Sequence, residues 1–344
     1  MGIGGSSRVV FDLVSELARR GHDINLVIFF NHFEPQFDSL KTLPNVHIFF
    51  LGKRHHVDIP FLWRLRKLLR KLRPSVISSH LTSTFYLALV TNFKQTVIYH
   101  TIHANPSDDL PRPYRLFLSS KIRKKQVRLV GCSQSIASSA SSLYRCFVPY
   151  ITNGISLPED ALPVEPEFDF LSSGRLCKVK NFDDLINAFS IVIKFRPEAK
   201  LCICGDGEEK PSLIQQVHHL GLDSNVCFSP SISDMGSLYR RSKVFCLFSS
   251  REGGPLSIAE AMAYGLPIVG SDISGIKTYA NDSLNGFLFP CHDVETAAAK
   301  MILLLTDKEL RKTISVRNVQ MAQNYSSQKM VDQYESLFFE KKNK

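Results

Sequence analysis

Short apolar runs alternate with longer amphipathic stretches along the whole of this sequence. The short runs are rich in Val, Ile and Phe, as is typical of β-strands, and the longer stretches repeat their apolar residues at helical spacing. In the first half, this pattern predicts strands at 24–30, 46–51, 75–79, 96–101, 128–133 and 148–152. It predicts helices among them at 7–20, 61–72, 82–91 and 134–143.

The second half repeats the scheme, with strands predicted at 168–173, 200–205, 225–229, 244–249, 267–271 and 286–290. Alternating strands and helices predict a parallel sheet that is covered by helices on both faces. We therefore expect an α/β protein made of two Rossmann-like domains, joined by the Gly-, Pro- and acid-rich segment 152–168. Ligands of such sheets bind beyond the carboxyl ends of the strands, so a cleft between the two domains is the expected site.

The Gly-rich sequence GIGGSS at 2–7 follows only a methionine. In a doubly wound domain such a loop follows the first strand, which lies in the middle of the sheet and is buried on both faces. We therefore expect the first strand to be missing and a gap to remain in the core, as would result if this start were internal. Glycine lets the backbone approach a phosphate or a sugar closely, so Gly4 and Gly5 are candidate ligand contacts.

The composition is that of an ordinary globular protein, with 44% hydrophobic and 22% charged residues. No apolar run approaches the roughly 18 residues of a membrane span, and the start lacks the basic region and apolar block of a signal peptide. The eight cysteines are scattered without a Cys-x-x-Cys pair, which favours reduced core residues over a disulfide framework or a zinc site. The expected location is the cytoplasm.

The net charge of +10 is concentrated in the first half of the chain. Residues 1–155 contain 21 Lys and Arg against 8 Asp and Glu, whereas residues 156–344 contain 21 against 24. A basic first half predicts an anionic partner. Because the sequence has no zinc-finger, RNA-binding or helix-turn-helix signature, we expect no nucleic acid partner. We expect peripheral binding to an anionic membrane surface, the inner face of the cytoplasmic membrane.

The segment PFLWRLRKLLRKLRP at 60–74 combines a helical apolar stripe with six basic residues and the single Trp. A helix with a basic face and a Trp is typical of segments that lie on anionic lipid. The apolar stripe equally fits a helix that packs on a Rossmann sheet. We expect a packed helix whose outer face contacts lipid headgroups.

The sequence REGGPLSIAEAMAYGLPIVGSD at 251–272 holds two glutamates, Glu252 and Glu260, with seven residues between them. Glu252 precedes a Gly-Gly-Pro turn that indicates a helix start, and Glu260 lies within the helix among apolar residues. A Pro at a helix start leaves local amides available, and the helix dipole favours phosphate there. Carboxylates accept hydrogen bonds from sugar and ribose hydroxyls.

Arg175 and Lys180 lie at a predicted strand-to-helix turn in the sequence SGRLCKVKNF. Two cations in such a turn can bind a diphosphate and stabilise its negative charge as it leaves. The sequence contains no Asp-x-Asp, an acid pair that can grip a metal-bound nucleotide. With two cations and a helix start to balance the charge, we expect no cofactor and no requirement for a metal.

Several segments resemble, in order and spacing, the retaining glycosyltransferases of family 4, which have the two-domain GT-B fold. The segment 251–272 is similar to their Glu-x7-Glu signature. Further matches are GIGGSSRVVFDLVSELARRGHDINLV, VIYHTIHA, LVGCSQSIA, ITNGI, SSGRLCKVKNFDDLINAF and CGDGEE. Together the matches span nearly the whole chain.

The resemblance assigns a role in the site to each of several residues of this sequence. Glu252 would hold the donor sugar and act in catalysis, and Glu260 would hold the ribose. The Thr-x-His pattern implies that His103 lies near the reacting sugar, as a second catalytic residue. The implied donor contacts are Arg175, Lys180, Ile232, Gly254, Pro255, Leu256, Glu260, Gly4 and Gly5. The sequence CGDGEE is expected to be scaffolding.

The resemblance also implies a function for each part of the chain. It implies an acceptor-binding domain over 1–155, a nucleotide-sugar-binding domain over 156–325, and a helix over 326–344 that crosses back to the first domain. The implied reaction moves a hexosyl or N-acetylhexosaminyl group, with retention, from a nucleotide-sugar donor, expected to be a UDP-sugar. The acceptor would be a saccharide or a lipid-linked saccharide in the synthesis of a cell-surface polysaccharide such as lipopolysaccharide or capsule.

Two alternatives stay open, and one departure from the family is visible. A nucleotide-sugar 2-epimerase shares the fold but uses other acids and histidines, and an inactive, truncated sugar-binding homologue would bind a donor without turnover. Relatives often carry Gly-Ile-Pro-Glu where this chain has SGIKTYA, so Thr278 replaces an acid.

Overall fold

The computed structural model describes residues 4–55, 58–158, 164–232 and 234–339. The chain divides into two compact units. Unit 1 consists of Met1–Gly154 together with Ser327–Lys344, and unit 2 consists of Ile155–Ser326.

The elements of unit 1 follow the predicted alternation of strands and helices. Over the described residues, its strands are β1 (Ile24–Ile28), β2 (Val46–Phe50), β3 (Val76–His80), β4 (Val97–Ile102) and β5 (Val127–Gly131). Its helices before residue 154 are α1 (Gly5–Arg19), α2 (Ile59–Leu72), α3 (Ser83–Val90), α4 (Pro106–Asp109), α5 (Arg112–Arg123) and α6 (Gln134–Tyr144). A 3₁₀ segment covers Pro35–Thr42.

The strands of unit 1 form two separate sheets. β1 pairs in parallel with β2, and a second parallel sheet has the order β3-β4-β5. The buried apolar residues likewise form two clusters. One lies around β1, β2 and α1, and the other lies around β3, β4, β5 and helices α2, α3, α5 and α6.

Helix α2 shows how the local sequence sets the bounds of an element. The carboxylate of Asp58 accepts a hydrogen bond from the Phe61 amide at 2.8 Å, which caps the first turn. Amide donors from Arg54 and Phe61 hold the pKa of Asp58 below its usual value. The helix ends at Leu72, and its C-cap Arg73 adopts the left-handed conformation directly before Pro74. Phe61 and Leu65 are fully buried, so the apolar stripe packs against the unit.

Unit 2 has a single sheet. Over the described residues, its strands are β6 (Phe168–Ser173), β7 (Leu201–Cys204), β8 (Val226–Ser229), β9 (Ser242–Leu247), β10 (Ile268–Ser271) and β11 (Gly286–Phe289). They pair in parallel in the order β11-β10-β9-β6-β7-β8. Its helices are α7 (Phe182–Phe195), α8 (Lys210–His219), α9 (Met235–Arg240), α10 (Leu256–Ala263), α11 (Val294–Thr306) and α12 (Lys308–Ala322). One large apolar cluster, with the almost fully buried Phe170 and Phe189 within it, spans this unit.

The last helix, α13 (Ser327–Phe339), belongs to unit 1. Arg20 donates to Asp332 at 2.7 Å and to Glu335 at 2.5 Å. The hydroxyl groups of Thr101 and Tyr334 lie 3.0 Å apart, and burial raises the pKa of Tyr334. These contacts fasten α13 to α1 and to β4.

One predicted strand is wrong. Residues 148–152 make only an isolated parallel bridge, in which Tyr150 pairs with Gly131. Pro149 has no amide hydrogen to donate, so the pairing with the end of β5 stops after two hydrogen bonds. The sequence pattern also missed the four-residue helix α4 and helix α5, each of which has a Pro in its first turn. None of the helices in the described part of the chain combines the length and the apolar character that crossing a bilayer requires.

Candidate functional site

The sheet of unit 2 reverses its strand order between β6 and β9. β7 and β8 follow β6 on one side, whereas β9, β10 and β11 continue on the other side. In a doubly wound sheet the connections leave in opposite directions at this point, and a crevice opens beyond the carboxyl ends of the two strands. The residues that follow β6 and β9 are therefore the first place to look for a ligand site.

The turn after β6 is held against the loop after β9. Lys180 ends a single 3₁₀ turn over Lys178–Lys180. The Ser250 amide donates to the carbonyl of Val179 at 2.9 Å. Asn181, in the left-handed conformation, donates from its side chain to the carbonyl of Phe248 at 3.1 Å. The turn that contains Lys180 thus has a fixed position at the switch point.

Lys180 and Glu252 form an ion pair across this point. The Nζ atom of Lys180 lies 2.5 Å from Oε1 of Glu252, and the two side chains are only 20% and 12% exposed. The loop of Glu252 is backed by Gly275, where a Cβ atom would overlap the carbonyl oxygen of Glu252. Because an ammonium has three N–H donors, Lys180 can keep this bond and still donate to a second anion.

Arg175 lies in the same turn but reaches further into solvent. Its side chain is 72% exposed, and Nη2 lies 3.2 Å from Oε2 of Glu208. Glu208 belongs to the CGDGEE segment, which follows β7. Gly205 in this segment has a φ of +157°, and a Cβ atom there would overlap the carbonyl oxygen of Gly174. The two loops are therefore packed backbone to backbone, as only glycine allows at this position.

Helix α10 begins at the same edge of the sheet. Pro255 is its N-cap and supplies no side-chain acceptor to the first turn, which starts at Leu256. Gly254 directly precedes this cap. The Ile258 amide donates to the carbonyl of Pro255 at 3.2 Å, whereas the amides of Leu256 and Ser257 begin the helix and have no acceptor one turn earlier within it. This geometry and the helix dipole favour an anion at this end.

Glu260, on the second turn of α10, is tied to a buried tyrosine. The hydroxyl of Tyr239 donates to Oε2 of Glu260 at 2.9 Å. Burial, followed by the neighbouring Glu260 carboxylate, raises the pKa of Tyr239 well above its usual value, although a hydrogen bond with Ser173 opposes this. Tyr239 therefore stays a neutral donor that links the end of β6 to Glu260.

Ile232 lies beyond the end of β8, at the same edge of unit 2. Its backbone hydrogen-bonds the thiol of Cys204, at the end of β7, and this bond partly offsets the rise in the pKa of Cys204 that burial causes. Cys204 also donates to the carbonyl of Pro230 at 3.2 Å. The backbone around Ile232 is thus anchored to the neighbouring strand.

His103, the candidate catalytic residue of unit 1, lies in a group of histidines with His80 and His100. The Nε2 atom of His103, just beyond β4, lies 2.9 Å from Nδ1 of His80, which ends β3. His100 is buried and bonds Thr84 at 2.6 Å and Asp109 at 2.8 Å. Burial lowers the pKa of His103 to about 4 and that of His80 well below its usual value. At neutral pH His103 is therefore a neutral hydrogen-bonding group.

Gly4 and Gly5 lie at the start of α1 in unit 1. Gly4 is the N-cap of the helix, with a φ of +151°, and has open space where a Cβ atom would be. Ser6 and Ser7, which follow, line the same cavity as His80. The start of α1 and the histidine group thus border one space within unit 1.

Taken together, the structure places Arg175, Lys180, Ile232, Glu252, Gly254, Pro255, Leu256 and Glu260 at one edge of unit 2. Sequence reasoning missed Tyr239, Asn181, Ser250 and Gly275, which position these side chains. Only Gly275 carried a usable signal, because a Gly between a strand and a helical turn often marks a close backbone approach. Tyr239 and Ser250 resemble ordinary core and loop residues in sequence.

The chain matches two protein families. Residues 157–320 match the family described as Glycosyl transferases group 1, and residues 3–157 match Glycosyltransferase Family 4. A Haemophilus influenzae protein, described as an uncharacterized glycosyltransferase, is 26% identical over 97% of this chain and 96% of its own length.

A second relative has a more specific name. It is the Campylobacter jejuni GalNAc-alpha-(1->4)-GalNAc-alpha-(1->3)-diNAcBac-PP-undecaprenol alpha-1,4-N-acetyl-D-galactosaminyltransferase, which is 24% identical over 99% of this chain and 96% of its own length.

Solved structures share the fold at low sequence identity. Anabaena HepE, solved with UDP and glucose, has a TM-score of 0.84 at 16% identity over 98% of this chain and 96% of its own. A variant of S. aureus TarM, solved with fondaparinux, alpha-GlcNAc-glycerol and UDP, has a TM-score of 0.72 at 20% identity. The match covers 81% of this chain and 59% of TarM, so the chain spans little more than half the length of that protein.

Proposed function

Because this chain belongs to the GT-B glycosyltransferases of the family-4 type, we propose that it transfers a sugar from a UDP-sugar to a saccharide or a lipid-linked saccharide. The transferred group is a hexosyl or N-acetylhexosaminyl unit, and the anomeric configuration is retained. The product belongs to a cell-surface polysaccharide. The observation that carries the proposal is the Lys180–Glu252 ion pair at the switch point of unit 2. The names of the C. jejuni relative and of the UDP-bound HepE structure support the class of acceptor and donor.

In the proposed mechanism, unit 2 stabilises the departing diphosphate. Lys180 donates to the diphosphate while its bond to Glu252 fixes its direction, and Arg175 supplies a second, more exposed cation. The first turn of α10 adds amide donors and the positive end of its dipole. Preorganised donors of this kind act on the transition state, in which negative charge grows on the leaving oxygen.

The two glutamates hold the donor by its hydroxyl groups. Glu252 accepts from the sugar, and Glu260, held by Tyr239, accepts from the ribose, because a carboxylate is an acceptor only. The backbone at Ile232 contacts the base. The C1–oxygen bond to the diphosphate breaks as the acceptor oxygen bonds C1 from the same face, and the acceptor proton passes to the leaving diphosphate.

His103 contributes a neutral imidazole. With its pKa lowered to about 4 by burial, it donates or accepts a hydrogen bond at a hydroxyl of the reacting sugar and carries no charge that would oppose the developing positive charge at C1. The backbone at Gly4 and Gly5, which lacks side chains, forms a further contact with the donor. These roles are part of the proposal.

The cations of the proposed diphosphate site make a metal unnecessary in this mechanism. Arg175, Lys180 and the start of α10 supply the positive charge that a divalent ion would otherwise bring to the diphosphate. We therefore expect full activity in EDTA. A loss of activity in EDTA that manganese restores would contradict this part of the proposal.

The experiment that tests the reaction is a panel of nucleotide sugars with saccharide and undecaprenyl-linked acceptors. We expect release of UDP that depends on the acceptor, and an α-linked product from an α-configured donor by NMR. An epimerised nucleotide sugar formed without an acceptor would favour the 2-epimerase. Tight donor binding without product would favour the inactive sugar-binding homologue.

We further propose that unit 1 binds an anionic membrane surface, where a lipid-linked acceptor would lie. The outer face of α2 exposes Arg66, Lys67, Arg70 and Lys71, and Trp63 is 64% exposed with Lys67 over its ring at 5.3 Å. A packed helix that shows cations and an indole to solvent is suited to lipid headgroups. This arrangement agrees with a lipid-linked acceptor on the cytoplasmic face.

Membrane binding is tested by reversing the charges of Arg66, Lys67, Arg70 and Lys71. The matched control reverses four exposed lysines of unit 2: Lys194, Lys200, Lys308 and Lys312. Sedimentation with phosphatidylglycerol vesicles should fall at least tenfold for the α2 variant, since each cation near an anionic surface contributes about 1 kcal/mol. Equal binding of the two variants would count against the membrane role of α2.

A further inference from the structure

The end of β3 carries His80, whose side chain has no role in the proposed reaction. Its Nδ1 atom lies 2.9 Å from Nε2 of His103, just beyond β4. The ring centroids lie 5.2 Å apart and the ring planes are inclined by 29°, so the rings approach each other through these two nitrogens. Among the described residues, this contact is the one hydrogen bond of the His103 ring, which leaves Nδ1 of His103 for a ligand.

The contact between the two rings restricts where each ring carries its proton. A neutral imidazole has one N–H group and one bare nitrogen. Burial lowers the pKa of His103 to about 4 and lowers that of His80 well below its usual value, so both rings are neutral at pH 7. One of the two facing nitrogens must therefore carry a hydrogen and the other must be bare. The protonation of His80 thus determines which nitrogen of His103 is the donor.

His80 is itself held in one position by two serines. The Oγ atom of Ser83, the first residue of α3, donates to the carbonyl of His80 at 2.6 Å, and the His80 amide donates to the same oxygen at 3.2 Å. On the far side of the ring, Nε2 lies 3.3 Å from Oγ of Ser78. Both ring nitrogens and both backbone groups of His80 therefore have a partner, so the ring keeps a fixed orientation toward His103.

A buried chain of polar side chains joins the strand ends that carry the histidine pair. The Oγ atom of Ser79, in β3, lies 2.7 Å from Oγ1 of Thr84, which in turn lies 2.6 Å from Nδ1 of His100 in β4. The Nε2 atom of His100 continues the chain to Asp109 at 2.8 Å. All four side chains are buried. A hydrogen-bonded network in the interior makes the elements that it joins more rigid, so the two strand ends keep a constant separation.

We propose that His80 is a positioning residue of the transfer reaction, which engages Nε2 of His103 so that Nδ1 of His103 meets a hydroxyl of the reacting sugar in a single protonation state. This role rests on the proposed function, in which His103 bonds the sugar. A ring whose proton exchanged between its two nitrogens would present a donor and a bare nitrogen in turn, and only one of them matches a given hydroxyl arrangement. Preorganisation of the ring removes the cost of ordering it as the transition state forms. His80 acts through His103 and does not contact the sugar.

The kinetic test compares His80→Phe with His80→Asn. Phe keeps a ring of similar shape but offers no hydrogen bond, whereas Asn can present an amide near the position of Nδ1. We expect His80→Phe to lower kcat by about 10–100-fold, the loss expected when a group at the reacting centre is misplaced, with KM for the UDP-sugar within about twofold. His80→Asn should keep kcat within about fivefold of the unchanged enzyme. The matched control is His47→Phe, because His47 is an exposed histidine of β2 in the same unit, and it should change neither constant.

Nitrogen NMR of labelled histidine reads the protonation of the ring without turnover. In the unchanged chain, the signals of His103, assigned by their loss in His103→Gln, should show one protonated and one bare nitrogen. In His80→Phe both signals should shift toward the average of the two states. Unchanged His103 signals in His80→Phe would overturn the positioning role.

The outcomes separate this role from the proposed function. Transfer at the same kcat in the unchanged chain and in His80→Phe would overturn the role of His80 alone. Equal losses in His80→Phe and His80→Asn would overturn it as well, since a structural defect then explains both. No transfer by the unchanged chain with any nucleotide sugar would remove the proposed function, and the role of His80 with it. If His80→Phe does not stay folded, His80→Leu takes its place in both measurements.

Discussion

The two units of this chain have a similar number of strands but differ in how those strands come together. Over the described residues, unit 2 joins six strands into one parallel sheet around one apolar cluster. Over the same part of the chain, unit 1 divides five strands between two sheets and two clusters, with a cavity of about 880 Å³ beside them. In unit 2 the middle strands β6 and β9 are nearly fully buried, whereas β1 and β3 are only partly so. A regular strand-helix pattern therefore does not by itself give a continuous core.

A substitution at Gly205 should disrupt the close packing of two loops in unit 2. Gly205→Ala places a Cβ against the carbonyl of Gly174 at a positive φ, and should lower the free energy of unfolding by more than about 3 kcal/mol. The matched change in unit 1 is Gly21→Ala, also at a positive φ but with open space around it, and should cost about 1 kcal/mol. Urea unfolding followed by circular dichroism measures both. Equal losses would contradict the contrast between the loops.

Substitution of one leucine in each unit compares how tightly the two cores are packed. Leu185 of α7 is fully buried in the cluster of unit 2, and Leu185→Ala should cost about 3–5 kcal/mol. Leu69 of α2 borders the cavity in unit 1 and is only partly buried, so Leu69→Ala should cost about 1–2 kcal/mol, since fewer contacts are lost. Thermal unfolding of the two variants and of the unchanged chain measures both losses.

Most strands and helices could be predicted from the sequence because the strands of both units are strong apolar runs, such as FDFLSS in β6 and VIYHTI in β4. The strand predicted at 148–152 was wrong, because Pro149 interrupts pairing. The sequence pattern also could not show how many sheets the strands of unit 1 form. That depends on whether β1 and β3 share a neighbour, which is a tertiary property.

The sequence named the candidate residues of unit 2, charged and uncharged, through the family motifs that they match. Glu252, Lys180 and Arg175 stand out because they are charges at strand-to-helix turns. Their mutual arrangement was not visible, since the Lys180–Glu252 pair joins residues that are 72 positions apart. Tyr239 was missed because a tyrosine that holds a carboxylate has no local signature in sequence.

A smaller effect concerns the acid stability of unit 1. His103 has a pKa of about 4 in the folded chain, below its usual value of 6.5, because burial disfavours the charged ring. The unfolded chain therefore binds more protons between these values, so stability is lost as the pH falls from about 6.5 to about 4, by up to about 3 kcal/mol. His103→Gln should remove that part of the pH dependence. The fluorescence of Trp63, the single Trp, reports on unit 1, and parallel pH curves for both proteins would refute this prediction.

The most direct test of the donor site compares two lysines of one turn, Lys180 and Lys178. Lys180 pairs with Glu252 at the switch point, whereas Lys178 is exposed in the same 3₁₀ turn. With a UDP-sugar that supports turnover, Lys180→Ala should lower kcat/KM by about 10²–10³-fold, the usual effect of removing a preorganised donor to a developing anion. Lys178→Ala should stay within about twofold of the unchanged enzyme. Similar values of kcat/KM for the two variants, whether both high or both low, would contradict a diphosphate site built on Lys180 and Glu252.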